Sequence, residues 1–124
     1  MENLFIEKTK ASPEISFRAD GNLMIRGVSN PGNVEKFYEP VFDWLNQFET
    51  IKPAHINLTL EIYYLNTSST LVFCDILKML CALKAEGSEL KITWRYEEDD
   101  EDIIDLGEDL RLSSGCEFKF DAVV

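Results

Sequence analysis

The chain has 124 residues, 45% of them apolar, which suits one domain built on one core. Its 12 basic and 23 acidic residues give a formal net charge of −11, which argues against a nucleic-acid footprint and against attraction to an anionic membrane. Basic protein partners remain compatible with that charge, because complementary charge steers encounter.

From the N-terminus, Leu4 and Ile6 begin an alternation that suits a short edge strand. Met1 to Lys10 carries acids and no long apolar run, so it does not read as a signal peptide. No segment reaches the apolar length of a membrane span. The expected compartment is the cytoplasm, with no direct membrane insertion. After Ser12-Pro13, Ile15 and Phe17 alternate with Ser16 and Arg18, Asp20-Gly21 signals a turn, and Leu23, Ile25 and Val28 return. This predicts an N-terminal antiparallel hairpin. Ser29-Asn30-Pro31 reads as a helix start, with Asn capping and Pro in the first turn. Val34, Phe37, Val41, Trp44, Leu45 and Phe48 follow at helical spacing, and Tyr38 and Phe42 widen the apolar face. Pro40 inside this run predicts a kink or an interruption.

Ala54 to Leu65 reads as a strand with Ile56, Leu58, Leu60 and Ile62 on one face. The chain then passes through Asn66-Thr67-Ser68-Ser69 into a second helix, traced by Leu71, Cys74, Leu77, Leu80, Cys81 and Lys84 and stopped by Gly87. Leu90, Ile92, Trp94 and Tyr96 alternate as another strand. Glu97 to Asp102 is an unbroken acidic run, and Glu108-Asp109 adds a shorter one. Ile103, Leu106 and Leu110 fall at helical spacing, which predicts a docked helix rather than a disordered acidic tail. Cys116, Phe118 and Phe120 suggest a last short strand. The expected core includes Phe37, Trp44, Leu58, Leu60, Leu77, Leu80, Ile92 and Trp94. The order of elements predicts one α/β domain over residues 1–124, with parallel pairing through right-handed crossovers and a mixed sheet.

Candidates for chemistry are few. Cys74, Cys81 and Cys116 lack close spacing, so neither a disulfide framework nor a zinc site is expected, and burial is the default for Cys74 and Cys81. His55 is the single histidine and has no evident nucleophile to serve. There is no glycine-rich phosphate loop, and the acidic run lacks the spacing and central glycine of an EF-hand. The chain therefore reads as a non-enzyme, with no catalytic residue, cofactor or metal site expected. The N-x-S/T matches at Asn57 and Asn66 are read as chance with respect to glycosylation.

The hydroxyl cluster is more informative. A strand, then Asn66-Thr67-Ser68-Ser69, then a helix places several hydroxyls at a helix N-terminus. Capping by Asn66 or Thr67 accounts for one of them. Three consecutive hydroxyls and a fourth at Thr70 exceed that need. A phosphate there would meet free N–H groups and the positive end of the helix dipole.

Several segments, taken in order, give the chain a family likeness. They are Met1-Glu2-Asn3-Leu4, Ser12-Pro13-Glu14-Ile15, Gly27-Val28-Ser29-Asn30-Pro31, Phe37-Tyr38-Glu39-Pro40, Trp44-Leu45 and Leu65-Asn66-Thr67-Ser68-Ser69. The acidic run with Gly107-Glu108-Asp109 completes the set. Along nearly its whole length the chain resembles the SiaC family of bacterial regulatory phosphoproteins. The resemblance implies a STAS-like fold, that of anti-sigma-factor antagonists. It implies a hydroxyl at a strand-to-helix junction that a partner protein kinase phosphorylates and a metal-dependent Ser/Thr phosphatase restores. It also implies control of a diguanylate cyclase, hence of cyclic-di-GMP and biofilm formation. The family's acceptor threonine falls on Thr67, with Ser68 and Ser69 as alternates. The loop Asn30-Pro31-Gly32-Asn33 departs from the Pro-Glu-Asn run common in the family. The expected partner-binding face comprises Asn66, Thr67, Ser68 and Ser69, together with Asp99, Asp100, Glu101 and Asp102. Two rival readings are a small metal-dependent enzyme using the acidic segment and a constitutive scaffold without a switch.

Overall fold

The computed structural model describes residues 1–123. Nine elements follow one another: β1 (Leu4–Ile6), β2 (Glu14–Phe17), β3 (Asn22–Ser29), α1 (Val34–Thr50), β4 (His55–Leu65), α2 (Thr67–Ala85), β5 (Glu89–Glu97), α3 (Glu101–Ser114) and β6 (Lys119–Val123). The strands form one six-stranded sheet in the order β1-β2-β3-β4-β5-β6. β1, β2 and β3 pair antiparallel, and β3 through β6 pair parallel. The predicted mixed sheet with its N-terminal hairpin is therefore present. Each parallel connection steps to the next strand in the same direction, so right-handed crossovers place all three helices on one side.

Alternation explains which side that is. Ile15 and Phe17, Leu23 and Ile25, Ile56 to Ile62 in steps of two, and Ile92 and Trp94 are all buried beneath the helices. Gly21 closes the hairpin with φ +98°, and a Cβ there would lie 2.0 Å from the His55 carbonyl oxygen. Only glycine fits both demands.

The opposite face of the sheet is uncovered and polar. Across it runs a row of charges from five strands. Glu14 stands opposite Arg26, and Arg26 opposite Glu61. Glu61 receives Arg26 at 3.3 Å and Arg95 at 3.4 Å, and Arg95 approaches Asp121 at 3.8 Å.

The helices differ from the sequence reading in several details. α1 starts at Val34, not at Pro31: Asn33 is the cap, and its side chain accepts from the Lys36 N–H at 3.1 Å. Asn30 is engaged elsewhere, as described below. α1 also runs unbroken through Pro40. Pro40 is exposed, so the backbone carbonyl it leaves without an intrahelical partner can be met by water. Phe37 is half-buried, while Tyr38 takes the fully buried place. α2 buries Leu77 and Leu80 as its spacing suggested, but its inward face is turned away from Leu71 and Cys74. Ser69, Phe73, Ile76, Leu77, Leu80 and Leu83 are buried, whereas Leu71 is 65% exposed and Cys74 half-buried. Gly87, at φ +117°, ends the helix as expected. β6 begins only at Lys119, so Cys116 and Phe118 precede it.

The cysteine expectation also needs correction. Cys81 on α2 and Cys116 after α3 form a disulfide, with Cα atoms 6.3 Å apart. They are 35 residues apart in the chain, so no local spacing announces the pair.

Candidate functional site

The parallel strands β3, β4 and β5 are neighbours, and all three end at the same edge of the sheet. α1, α2 and α3 begin there. The β3–α1 loop, the β4–α2 junction and the β5–α3 loop therefore lie side by side. Open α/β sheets bind their ligands at this carboxyl edge. The edge gathers both halves of the expected partner face, the hydroxyl segment and the acidic segment, onto adjacent connections. His55 opens β4 at the opposite end and pairs with Glu89 at 2.8 Å, away from this edge.

Asn66 organises the junction. Its backbone is extended, and its side-chain oxygen accepts from the Ser69 N–H at 2.8 Å, which caps α2. Its side-chain amide donates to Asn30 Oδ1 at 2.9 Å. Its own N–H donates to the Ser29 carbonyl at 3.0 Å, and its carbonyl accepts from the Thr70 N–H and the Thr70 hydroxyl, each at 3.0 Å. One side chain thus ties the start of α2 to the loop that leads into α1.

The four hydroxyls after Asn66 fall into two classes. Thr67 and Ser68 are exposed, and neither hydroxyl has a hydrogen-bond partner among the described residues. Thr70 bonds back to Asn66. Ser69 is fully buried, and its Oγ lies 2.7 Å from Ser29 Oγ. Ser29 in turn shares a hydrogen bond with the Tyr38 hydroxyl at 2.5 Å. Burial pushes the Tyr38 phenol up to about 12, against the opposing pull of the Ser29 hydrogen bond. At neutral pH the phenol is a neutral member of this cluster.

The acidic segment divides in a similar way. Asp100 is half-buried and caps α3, accepting from the Ile103 N–H at 3.2 Å. Of the four acids expected on the partner face, Asp100 is thus the one engaged by the domain's own backbone. Asp99, Glu101 and Asp102 are exposed. Glu101 and Asp102 lie in the first turn of α3, where the helix dipole favours acids. Ile103 and Leu110 anchor the helix, and Leu106 is half-buried beside them. Among the described residues, no group of three or more His, Cys, Asp or Glu side chains is arranged to hold a metal.

Ser29 and Tyr38 were not singled out as site residues by their sequence. A signal was present for Ser29. It sits on the inward phase of β3, after Leu23 and Ile25, where an apolar residue is the rule. A hydroxyl in that position needs a buried partner. The partner cannot be named without the fold, since Ser69 lies forty residues away.

A family described as SiaC family regulatory phosphoprotein matches residues 6–123. The chain belongs to the SiaC family. An uncharacterized protein of Pseudomonas aeruginosa strain UCBPP-PA14 is 32% identical over 122 residues, covering 97% of this chain and 94% of its own length. The structure of SiaC of Pseudomonas aeruginosa superposes with a TM-score of 0.86 at 30% identity, covering 99% of this chain and 98% of that one. Another similar structure is a crystal structure of the diguanylate cyclase SiaD in complex with its activator SiaC from the same organism. There the TM-score is 0.89 at 30% identity, with 97% of this chain and 99% of that chain covered. The SiaC-like architecture thus spans the whole described chain, junction and acidic helix included. No helix among the described residues is long and apolar enough to cross a membrane.

Proposed function

We propose that this SiaC-family chain is a non-enzymatic cytoplasmic regulator whose docking face is the carboxyl edge of its sheet, switched by reversible phosphorylation of Thr67. The observation that carries this reading is the exposure of Thr67 in the first turn of α2, beside the acidic β5–α3 connection. A protein kinase with ATP adds the phosphate, and a metal-dependent Ser/Thr phosphatase removes it. The unmodified face binds and regulates a diguanylate cyclase, and through it cyclic-di-GMP and biofilm formation. The SiaC–SiaD complex of a 30%-identical relative supports that choice of target.

The physics favours a switch at the interface over one that unfolds the domain. A phosphate on Thr67 would sit at the positive end of α2, whose first turn holds no acid of its own. It would add about −1.5 to −2 charge next to a surface already made negative by Asp99, Glu101 and Asp102. A close-fitting apolar partner surface would then face a desolvated dianion and be expelled. Ser68, the neighbouring exposed hydroxyl, is the alternate acceptor; Ser69 is enclosed.

The test is peptide-level mapping of phosphate after incubation with the kinase of the source cells and ATP, alongside cyclase capture by wild type, Thr67→Ala and Thr67→Asp. Thr67→Ala should block modification and keep the unmodified binding. Thr67→Asp should weaken that binding only in part, since a carboxylate supplies less charge and fewer acceptors than a phosphate. Phosphate found only outside Thr67 to Thr70 would sink this function. Phosphate on Ser68 would keep the mechanism and move the residue.

A further inference from the structure

Four hydroxyls in succession, Thr67 to Thr70, offer a modifying enzyme four similar nucleophiles. Something other than hydroxyl chemistry has to choose among them. We propose that the buried hydroxyl cluster of Ser29, Tyr38 and Ser69 makes that choice, by fixing the rotational phase of α2 so that Thr67 points away from the domain. The inference rests on the phosphoswitch proposed above and names the residues that determine its site.

The argument is geometric. Successive residues on an α-helix are separated by about 100° around the axis. Ser69 is held inward by its bond to Ser29, at 2.7 Å and with no exposure. Thr67 then lies about 200° away, nearly opposite, while Ser68 and Thr70 each lie about 100° to one side. Leu71 is also about 200° from Ser69, and its 65% exposure shows where that outward direction leads. Thr70 is further withdrawn by its bond to the Asn66 carbonyl at 3.0 Å. Thr67 is thus the hydroxyl presented most directly, and Ser68 is presented obliquely.

An apolar residue at position 69 would bury α2 without defining its rotation closely, because the hydrophobic effect has no direction. A hydroxyl hydrogen bond does have direction. The cluster ties three elements together: Ser29 ends β3, Tyr38 lies on α1 and Ser69 on α2. No buried side-chain nitrogen or oxygen among the described residues is left without a partner, so a rotation of α2 would break a satisfied network. Asn66 reinforces the same setting from outside through Asn30. Ser29, Tyr38 and Ser69 are positioning residues, since none of them meets the phosphate.

Tyr38→Phe and Ser69→Ala test this, because each removes one oxygen and keeps or slightly lowers volume. Each purified variant and the wild type is incubated with ATP and soluble lysate of the source cells. Site-resolved phosphopeptide mass spectrometry then reads the ratio of phosphate on Thr67 to phosphate on Ser68. Circular dichroism and the unfolding midpoint establish that each variant is folded. In wild type the phosphate should be concentrated on Thr67. In the folded variants the Thr67-to-Ser68 ratio should fall by about fivefold or more, the factor that loss of one buried hydrogen bond allows. General destabilisation alters the total phosphate but has no reason to redistribute it. Folded variants with the wild-type ratio would overturn the inference and leave the phosphoswitch standing. Phosphate wholly outside Thr67 to Thr70 in wild type would overturn both.

Discussion

The indole of Trp94 lies directly against the bare Cα of Gly107. A Cβ built on Gly107 would stand 2.6 Å from the indole nitrogen and 2.7 Å from the adjoining ring carbon. The same indole N–H donates to the Ile103 carbonyl at 3.0 Å, and Trp94 has no exposure. α3 therefore docks by laying one turn of backbone on a buried aromatic ring.

Gly107→Ala should destabilise the domain for that reason. Alanine is the better helix former by about 1 kcal/mol. Forcing a methyl into a packed indole typically costs about 1–3 kcal/mol. The net expectation is a lower denaturant midpoint with little change in slope, read by urea unfolding of wild type and variant. A variant more stable than wild type would mean that Trp94 gives way freely.

Leu77→Ala and Leu71→Ala separate the two faces of α2. Leu77 is 1% exposed and Leu71 is 65% exposed. Truncating Leu77 should cost about 2–5 kcal/mol, whereas Leu71→Ala should stay within about 0.5 kcal/mol. Leu60→Ala, on the buried face of β4, should match Leu77→Ala. Equal tolerance at Leu71 and Leu77 would contradict the burial of α2.

Tyr38 should make stability depend on alkaline pH. Its phenol holds its proton up to about 12 in the folded state, against an ordinary value of 10.0. The contribution is complete below pH 10, where both states keep the proton. As pH rises from 10 toward 12 the unfolded chain releases the proton first, so stability falls. Two units correspond to roughly 2–3 kcal/mol at the upper limit. Tyr38→Phe should be less stable at pH 8 but lose less between pH 9.5 and 11.5. Parallel profiles for the two proteins would remove Tyr38 as the cause.

Asp100 and its acidic neighbours should respond differently to neutralisation. Asp100→Ala removes the α3 cap and should cost about 0.5–2 kcal/mol of stability. Asp99→Asn should leave the unfolding midpoint almost unchanged. If the exposed acids steer a basic partner, Asp99→Asn should slow association, and added salt should slow the wild type as charges are screened over about 8–10 Å. Association rates indifferent to both changes would assign these acids to solubility alone.

The sheet was legible in the sequence because strand alternation is a strong local signal, and Ile56 to Ile62 or Leu90 to Tyr96 leave little choice of face. α2 was legible as a helix but not in its rotation. Leu71, Val72 and Phe73 are consecutive and apolar, so neighbouring phases look alike on paper, and only the packed structure shows that Phe73, Ile76, Leu77, Leu80 and Leu83 are the side chains that turn inward with Ser69. The start of α1 was placed too early, at Ser29-Asn30-Pro31, because Asn followed by Pro is a strong local cap signal; the cap is Asn33, and Asn30 instead accepts from the Asn66 amide, a contact that local pattern does not encode. The hydroxyl segment and the acidic segment were each visible. That they share one edge follows from strand order, which local pattern does not encode. The link between Cys81 and Cys116 is long-range in the same sense.

The charge row on the open face of the sheet bears on how the strands find their alignment. Alternating apolar residues rule out a slip of one position, since every core side chain would turn to water. They are blind to a slip of two, which restores the alternation intact. The row of Glu14, Arg26, Glu61, Arg95 and Asp121 has no such periodicity. A two-residue slip of β4 past β3 would move Glu61 off Arg26 and bring Thr59 or Tyr63 opposite it. Glu61 would then be parted from one of the two guanidiniums that enclose it. The polar face thus acts as a vernier on the apolar one, reading the half of the alignment that greasy side chains leave undetermined.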